Sequence, residues 1–338
     1  MTPLSERDDA IAAFLAHAGW GEAALAPLAG DASFRRYVRL RRGATSAMLM
    51  DAPPPKEDVR PYCAVARLLG SLGLSAPRIL AEDWGRGLLV IEDFGDDTFT
   101  RLLATGADEE ALYALAVDCL VALNRRFTAS GATTLARYDD SRLLAEAALL
   151  VDWYLPAITG SPAGAVRNEY LELWQSLLAG ARGVPETLVL RDYHVDNLMR
   201  LPGRDGVAAC GLLDFQDAVL GPMSYDLVSL LEDARRDVPR ELATAMSARF
   251  LAAFPALDRA AFDRSYALLG AQRNAKIIGI FTRLCVRDGK PAYLAHIPRV
   301  WHLLEQDLRH PALVPMARWL DRHVPPEARR VPAAMSAA

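Results

Sequence analysis

At 338 residues, with 52% hydrophobic and 24% charged residues, the chain exceeds one typical domain and can fill a sizeable core, so two lobes are expected. A net charge of −4 offers no general attraction to polyanions and argues against nucleic acid as a partner. The four cysteines lack metal-type spacing, and neither a basic-then-apolar leader nor a stretch of transmembrane length occurs, so the expectation is a cytoplasmic protein with buried thiols and no membrane partner.

In chain order, residues 4–18 carry Ile11, Phe14 and Leu15 at helical spacing and end near Gly19. Residues 34–40 alternate as a strand does, and 47–50 supply a partner after an Arg42-Gly43 turn. The run Pro53-Pro54-Pro55 breaks the pattern. A helix follows over about 57–72, with Val59, Tyr62, Val65, Ala66 and Leu69 along one face. Two more strands, 79–81 and 88–91, flank Gly85-Arg86-Gly87. The sum is a small antiparallel sheet with a helix laid across it. After Glu92-Asp93-Phe94-Gly95 the pattern turns almost wholly helical, near 98–105, 108–128, 139–156, 164–180, 225–235, 239–254, 258–286, 297–305 and 312–321. The shift at 92–96 divides the chain into a lobe of residues 1–92 and a lobe of residues 93–338.

Residues 188–215 concentrate the chemistry. The apolar run Leu188-Val189-Leu190 stops at Asp192, Asn197 follows, and a strand candidate at 207–213 delivers Asp214. Asp and Asn are common in turns for local hydrogen-bonding reasons, so each alone says little. Two carboxylates and an amide at the ends of short apolar strands are what phosphoryl transfer from a nucleotide needs. One carboxylate accepts the proton of the attacking hydroxyl, while the amide and the other carboxylate hold magnesium on the phosphates.

The segments L-R-D-Y-H-V-D-N-L-M and L-L-D-F-Q-D-A resemble the catalytic and metal loops of the aminoglycoside phosphotransferase/choline kinase superfamily, a resemblance that extends over nearly the whole chain. It implies an α+β, protein-kinase-like two-lobe fold, with a small antiparallel sheet lobe plus a larger, mostly helical lobe. Four stretches resemble the bacterial anomeric kinases of N-acetylmuramate and N-acetylglucosamine: G-D-A-S-F-R-R-Y, M-L-M-D-A-P-P-P, V-D-W-Y-L-P and Q-R-N-A-K-I-I-G-I-F-T-R-L-C-V-R-D-G-K-P-A-Y-L. This implies a monomer that takes ATP and Mg2+ and makes the 1-phosphate of a small amino sugar for peptidoglycan recycling.

On this resemblance Asp192 is the catalytic carboxylate, and Asn197 and Asp214 are magnesium ligands. His194 braces the loop, since imidazole is a poor magnesium ligand; Asp196 is left unassigned. Asp226 reads as a first-turn acid of its helix or as a brace for the catalytic loop. Gly30, Ser33 and Phe34 form the turn over the phosphates, and Glu92 and Phe94 belong to the hinge that meets the base. Arg35, Arg36 and Arg39 are solvated strand residues, or one of them faces the nucleotide; Arg36 is expected to bind it. For the sugar, Trp153 and Tyr154 stack on the ring or are aromatics of a buried helix. Glu146 and Asp152 accept from hydroxyls. Arg273 and Lys276, with positions 280 and 283, share a helical face. That face is solvated, or it is a cationic stripe suited to the lactyl carboxylate of N-acetylmuramate and hostile to a polycationic aminoglycoside.

Two departures stand out. Leu190 occupies the place of a bracing histidine. The strand at 47–51 carries no lysine, and of the lysines Lys56, Lys276 and Lys290 only Lys56 lies in the first lobe. Arg36, Arg39 or Lys56 is expected to substitute. The competing readings are phosphoryl transfer to an aminoglycoside, choline or another small alcohol, and a nucleotide-binding regulatory module without turnover.

Overall fold

The computed structural model describes residues 3–28, 35–128 and 135–332. The chain begins α1 (Pro3–His17), β1 (Ala24–Pro27), β2 (Arg36–Arg42), β3 (Thr45–Asp51), α2 (Val59–Ser71), β4 (Ile79–Asp83) and β5 (Leu88–Glu92). Then come α3 (Phe99–Ala104), α4 (Glu109–Arg126), α5 (Asp140–Leu149), α6 (Leu155–Thr159), α7 (Ala165–Leu178), β6 (Glu186–Val189), β7 (Leu198–Arg200), β8 (Cys210–Leu212) and β9 (Val219–Pro222). It closes with α8 (Tyr225–Leu231), α9 (Arg240–Ala252), α10 (Arg259–Val286), α11 (Ile297–Asp307) and α12 (Val314–His323). Packing divides the chain into Met1–Arg126 with Val195–Ala218, and Phe127–His194 with Val219–Ala338. This division runs elsewhere than the composition shift at 92–96, because α3, α4 and β7–β8 fall in the unit that holds the sheet.

The first unit holds the expected antiparallel sheet, in the order β1-β2-β3-β5-β4. Gly43, at φ +59°, closes the β2–β3 hairpin in the left-handed region that glycine tolerates best. Leu40, Ala47, Leu49, Leu88 and Val90 line one sheet face and pack with Phe14, Leu15 and Trp20 of the α1 region. The two-residue strand period puts them there, and each buried leucine contributes roughly 2 kcal/mol. In α2, the Asp58 carboxylate caps the Arg60 N–H, and Val59, Tyr62, Cys63, Val65, Ala66 and Leu69 form the buried face. β1 and β9, four residues each, were not anticipated as strands; the expected strand at 207–213 is a 3₁₀ turn followed by β8.

The second unit is built on α10, whose 28 residues are capped by the Asp258 carboxylate at the N–H groups of Ala260 and Ala261. Residues 267–279 are buried without interruption, polar side chains included. Glycine permits two close approaches: a methyl at 270 would meet the Asp307 carboxylate, and a methyl at 279 would run into the Leu149 backbone. At that crossing the expected helix 139–156 is not continuous. α5 stops at Leu149, a single π-helical turn spans Leu150–Tyr154, and α6 follows with Pro156 in its first turn. The predicted helix 225–235 also ends early, at Leu231.

Candidate active site

β6 pairs with β9, from Glu186↔Pro222 to Val189↔Val219, and feeds the loop that carries Asp192. Arg191 turns at φ +74°, a conformation that costs a non-glycine residue about 1–2 kcal/mol. α8 holds it there. The Asp226 carboxylate accepts the N–H groups of Leu190 (2.6 Å) and Arg191 (2.9 Å). The Ser229 hydroxyl donates to the Arg191 carbonyl (3.2 Å) and accepts from the Arg273 guanidinium (2.9 Å), which also donates to the Glu232 carbonyl (3.2 Å). Burial pushes the Asp226 carboxyl up to about 7 against the pull of its two N–H donors.

Asp192 is half-buried. Burial would raise its carboxyl, but the charges of Lys276, Arg273 and Arg191 outweigh it and hold Asp192 below the ordinary carboxylate range. It is therefore ionised at neutral pH. His194 is buried beside Arg235, 3.5 Å from its Nε2, and burial is the main reason that its imidazole is held neutral.

Glu146, on α5, gathers three donors. Arg191 and the Tyr138 hydroxyl donate to its carboxylate, and Lys276 Nζ lies 3.2 Å away. Tyr138 also meets the Tyr225 hydroxyl at 3.0 Å, and the Arg191 guanidinium lies over its ring. Burial opposes ionisation of Glu146, yet Lys276 and Arg191 keep its carboxyl low. Glu146 was expected to receive sugar hydroxyls; its oxygens are instead engaged by protein donors. Asp152 pairs with Arg167 at 2.6 Å. The stacking role for Tyr154 is corrected: its ring is fully buried against Trp301, and its hydroxyl donates to the Ala328 and Arg330 carbonyls. Trp153, its neighbour in the π-turn, is half-buried. Arg273 is buried, with its guanidinium on α8; it lends the site charge from behind the loop.

In the first unit β7 and β8 pair from Leu198↔Leu212 to Arg200↔Cys210, and the Leu213 N–H donates to the Asn197 carbonyl (3.0 Å). Asn197 and Asp214 thus leave the ladder at the same end. Asp214 turns at φ +55°, which Asp tolerates better than most residues, and accepts from the Gln216 amide at 2.8 Å. The next residue, Phe215, stacks on Tyr62 of α2 with ring centroids 4.9 Å apart. Asp196 accepts from the Thr100 hydroxyl. Among the described residues no cluster of three His, Cys, Asp or Glu could hold a metal by itself. An amide oxygen and a carboxylate, with no sulfur or imidazole, fit a hard ion such as Mg2+ that keeps waters and phosphates as its other ligands.

At the expected hinge, the Glu92 carboxylate accepts from Arg204 (2.6 Å) and Arg78 (3.2 Å), and the Glu92 backbone N–H donates to the Arg78 carbonyl. The Arg204 guanidinium covers the Phe94 ring, and Phe94 lies so close to Gly211 of β8 that a methyl there would collide with it. Two arginines expected as stand-ins for the strand lysine are engaged elsewhere. Arg36 shares Asp51 with Arg7, and Arg39 is buried on Asp93, Asp96 and the Gly95 carbonyl. Arg36 as a nucleotide contact is therefore corrected to a strand-to-strand link from β2 to Asp51 of β3, a carboxylate that Arg7 of α1 shares. Gly30, Ser33 and Phe34 lie outside the described residues. Sequence reasoning missed Arg191, Arg204, Ser229 and Tyr138. The one available signal was the place of Arg191 directly before Asp192.

Residues 24–263 match the phosphotransferase enzyme family. The N-acetylmuramate/N-acetylglucosamine kinase of Caulobacter vibrioides is 42% identical, over 98% of this chain and 100% of its own. The kinase of the same name from Pseudomonas aeruginosa is 39% identical, over 89% and 90%. Among solved structures, the choline/ethanolamine kinase family protein of Mesorhizobium loti superposes with a TM-score of 0.56 at 15% identity, over 94% of this chain and 98% of its own. The GDP complex of wild-type aminoglycoside 2'-phosphotransferase-IIIa does so with 0.60 at 14%, over 89% and 98%. These distant likenesses establish the kinase-like α+β fold.

Proposed function

The chain belongs to the phosphotransferase enzyme family, and from that premise we propose that it is an ATP-dependent kinase of the anomeric hydroxyl of N-acetylmuramate, N-acetylglucosamine or both. The observation that carries the proposal is the state of Asp192: a carboxylate held ionised among Lys276, Arg273 and Arg191, on a loop fixed by α8. The choice of sugar rests on the two relatives named for these substrates.

In this reading Asp192 orients the sugar hydroxyl and takes its proton, a role worth roughly 10²–10⁴ in rate. Asp226, Ser229 and Arg273 hold the Asp192 loop in its strained turn, and His194 braces it. Asn197 and Asp214 would hold Mg2+, which when bound supplies positive charge to the phosphate oxygens. Glu92 and Phe94 form the hinge that meets the base. Residues 1–92 form the nucleotide lobe, and residues 93–338 carry the catalytic loop and sugar site. Arg191, Arg273 and Lys276 set three positive charges against the two carboxylates of Glu146 and Asp192, a balance that favours an acidic sugar over a polycationic aminoglycoside. No helix among the described residues is long and apolar enough to cross a membrane. We place the activity in the cytoplasm, in a monomer that serves peptidoglycan recycling.

A substrate panel read by ADP release separates the acceptors. The two N-acetylated sugars should turn over, and kanamycin and choline should not. Faster turnover of either of the latter would overturn the choice of acceptor.

A further inference from the structure

Arg35 precedes β2 by one residue and is largely buried. Its Nε lies 3.5 Å from the Glu57 carboxylate and its Nη2 lies 3.9 Å from the Asp214 carboxylate. Its guanidinium also hydrogen-bonds the Tyr37 side chain. Glu57 stands just before α2, and α2 reaches the Asp214 loop a second time through the Tyr62–Phe215 ring pair. A single guanidinium is thus set between a carboxylate that anchors it and the carboxylate read as a metal ligand. In protein kinases a strand lysine, held by a helix glutamate, meets the nucleotide phosphates. β3 has no lysine, and Arg36 and Arg39 are engaged at Asp51 and at Asp93 and Asp96.

We propose that Arg35 is the cation that binds the nucleotide phosphates, with Glu57 as its positioning carboxylate. The inference rests on the kinase reading above. The 3.9 Å separation from Asp214 is about one ångström longer than a closed charge-assisted hydrogen bond. Arg35 and Asp214 are therefore near enough to serve one polyphosphate without closing on each other. A guanidinium has five donors in a rigid fork, so anchorage by Glu57 and Tyr37 is compatible with a bidentate contact to phosphate oxygens. Arginine keeps its charge in such a half-buried place, where a lysine would be prone to lose it.

The test is equilibrium binding of adenosine, AMP, ADP and ATP, with EDTA and then with Mg2+, to the full-length wild type, Arg35→Ala, Arg35→Lys and Glu57→Gln. The wild type should bind ATP more tightly than adenosine in EDTA. Arg35→Ala should lose roughly 10- to 100-fold in ATP affinity while binding adenosine as before. Arg35→Lys should recover part of the loss, and Glu57→Gln should show a smaller loss. An undiminished gain from adenosine to ATP in Arg35→Ala would overturn the assignment, as would an equal loss of adenosine and ATP binding in both Arg35 variants. A wild type that gains nothing from phosphates and phosphorylates no sugar would instead refute the underlying kinase reading.

Discussion

Asp192 and Asp226 are both sheltered from solvent, yet their carboxyls move in opposite directions: cations keep Asp192 ionised, while burial pushes Asp226 up to about 7. In the proposed reading Asp192 meets the sugar hydroxyl, while Asp226 is committed to the backbone N–H groups of Leu190 and Arg191. Asp192→Asn should lower turnover by roughly 10²–10⁴ or more while nucleotide affinity stays measurable by calorimetry. Lost affinity with intact turnover would contradict the role given to it. Glu146 is the counter-charge for Arg191 and Lys276, so Glu146→Gln should cost about 1–3 kcal/mol in urea unfolding, below the cost of breaking a fully buried pair. It should lower kcat more than it raises the KM for ATP, because it loosens the residue before Asp192. At this scale the Asp192, Asn197 and Asp214 loop was legible because polar residues end apolar strands. Arg191 and Arg204 were not, and Arg35 stood only as one of three neighbouring arginines of which one could face the nucleotide. Nearly all of the 38 basic residues are arginines, and only tertiary pairing distinguishes one from another.

Long-range contacts decide what the sequence patterns could not at the scale of the element. The turn at Leu150–Tyr154 is hidden in a run whose apolar spacing reads as one helix, because a π-turn shifts the phase without changing composition. It begins at the crossing at Gly279, where α10 and the end of α5 approach backbone to backbone. Gly279→Ala should destabilise the protein by about 1–3 kcal/mol, or more if the helices cannot part, and reduce activity by shifting Glu146 on α5. Unchanged stability in denaturant would show that the crossing is looser than described. Near the same helix, Asn274 donates to both Glu232 (2.8 Å) and Asp307 (3.0 Å), and burial raises both carboxyls so that the pair retains a proton. With Asp226 raised as well, the folded protein keeps protons that the unfolded chain releases above about pH 4. Stability should therefore be greatest below about pH 4 with respect to these groups and fall as pH rises through about 7. Melting temperatures from pH 5 to 8 should decline, and Asp307→Asn should make that decline shallower.

Over the whole molecule, the change from alternating to helical periodicity near 92–96 made a small sheet followed by helices legible, the motif resemblance implied the kinase-like arrangement, and the distant structural likenesses agree. The packing units were not legible. The chain passes from one to the other at Arg126–Phe127, His194–Val195 and Ala218–Val219. One of these passages lies between Asp192 and Asn197. β7–β8 joins the sheet unit through contacts such as Ser75↔Gly211 and Thr98↔Met199, each about 100 residues or more apart in sequence. The central claim is transfer of a phosphoryl group to an anomeric hydroxyl. Its most direct test is 31P NMR of the product formed by the purified protein from N-acetylmuramate, N-acetylglucosamine and Mg-ATP, with EDTA as the control. The account predicts a sugar 1-phosphate, with its phosphorus coupled to the anomeric proton, that disappears with EDTA. Phosphate on any other hydroxyl, or no sugar phosphate at all, would contradict it.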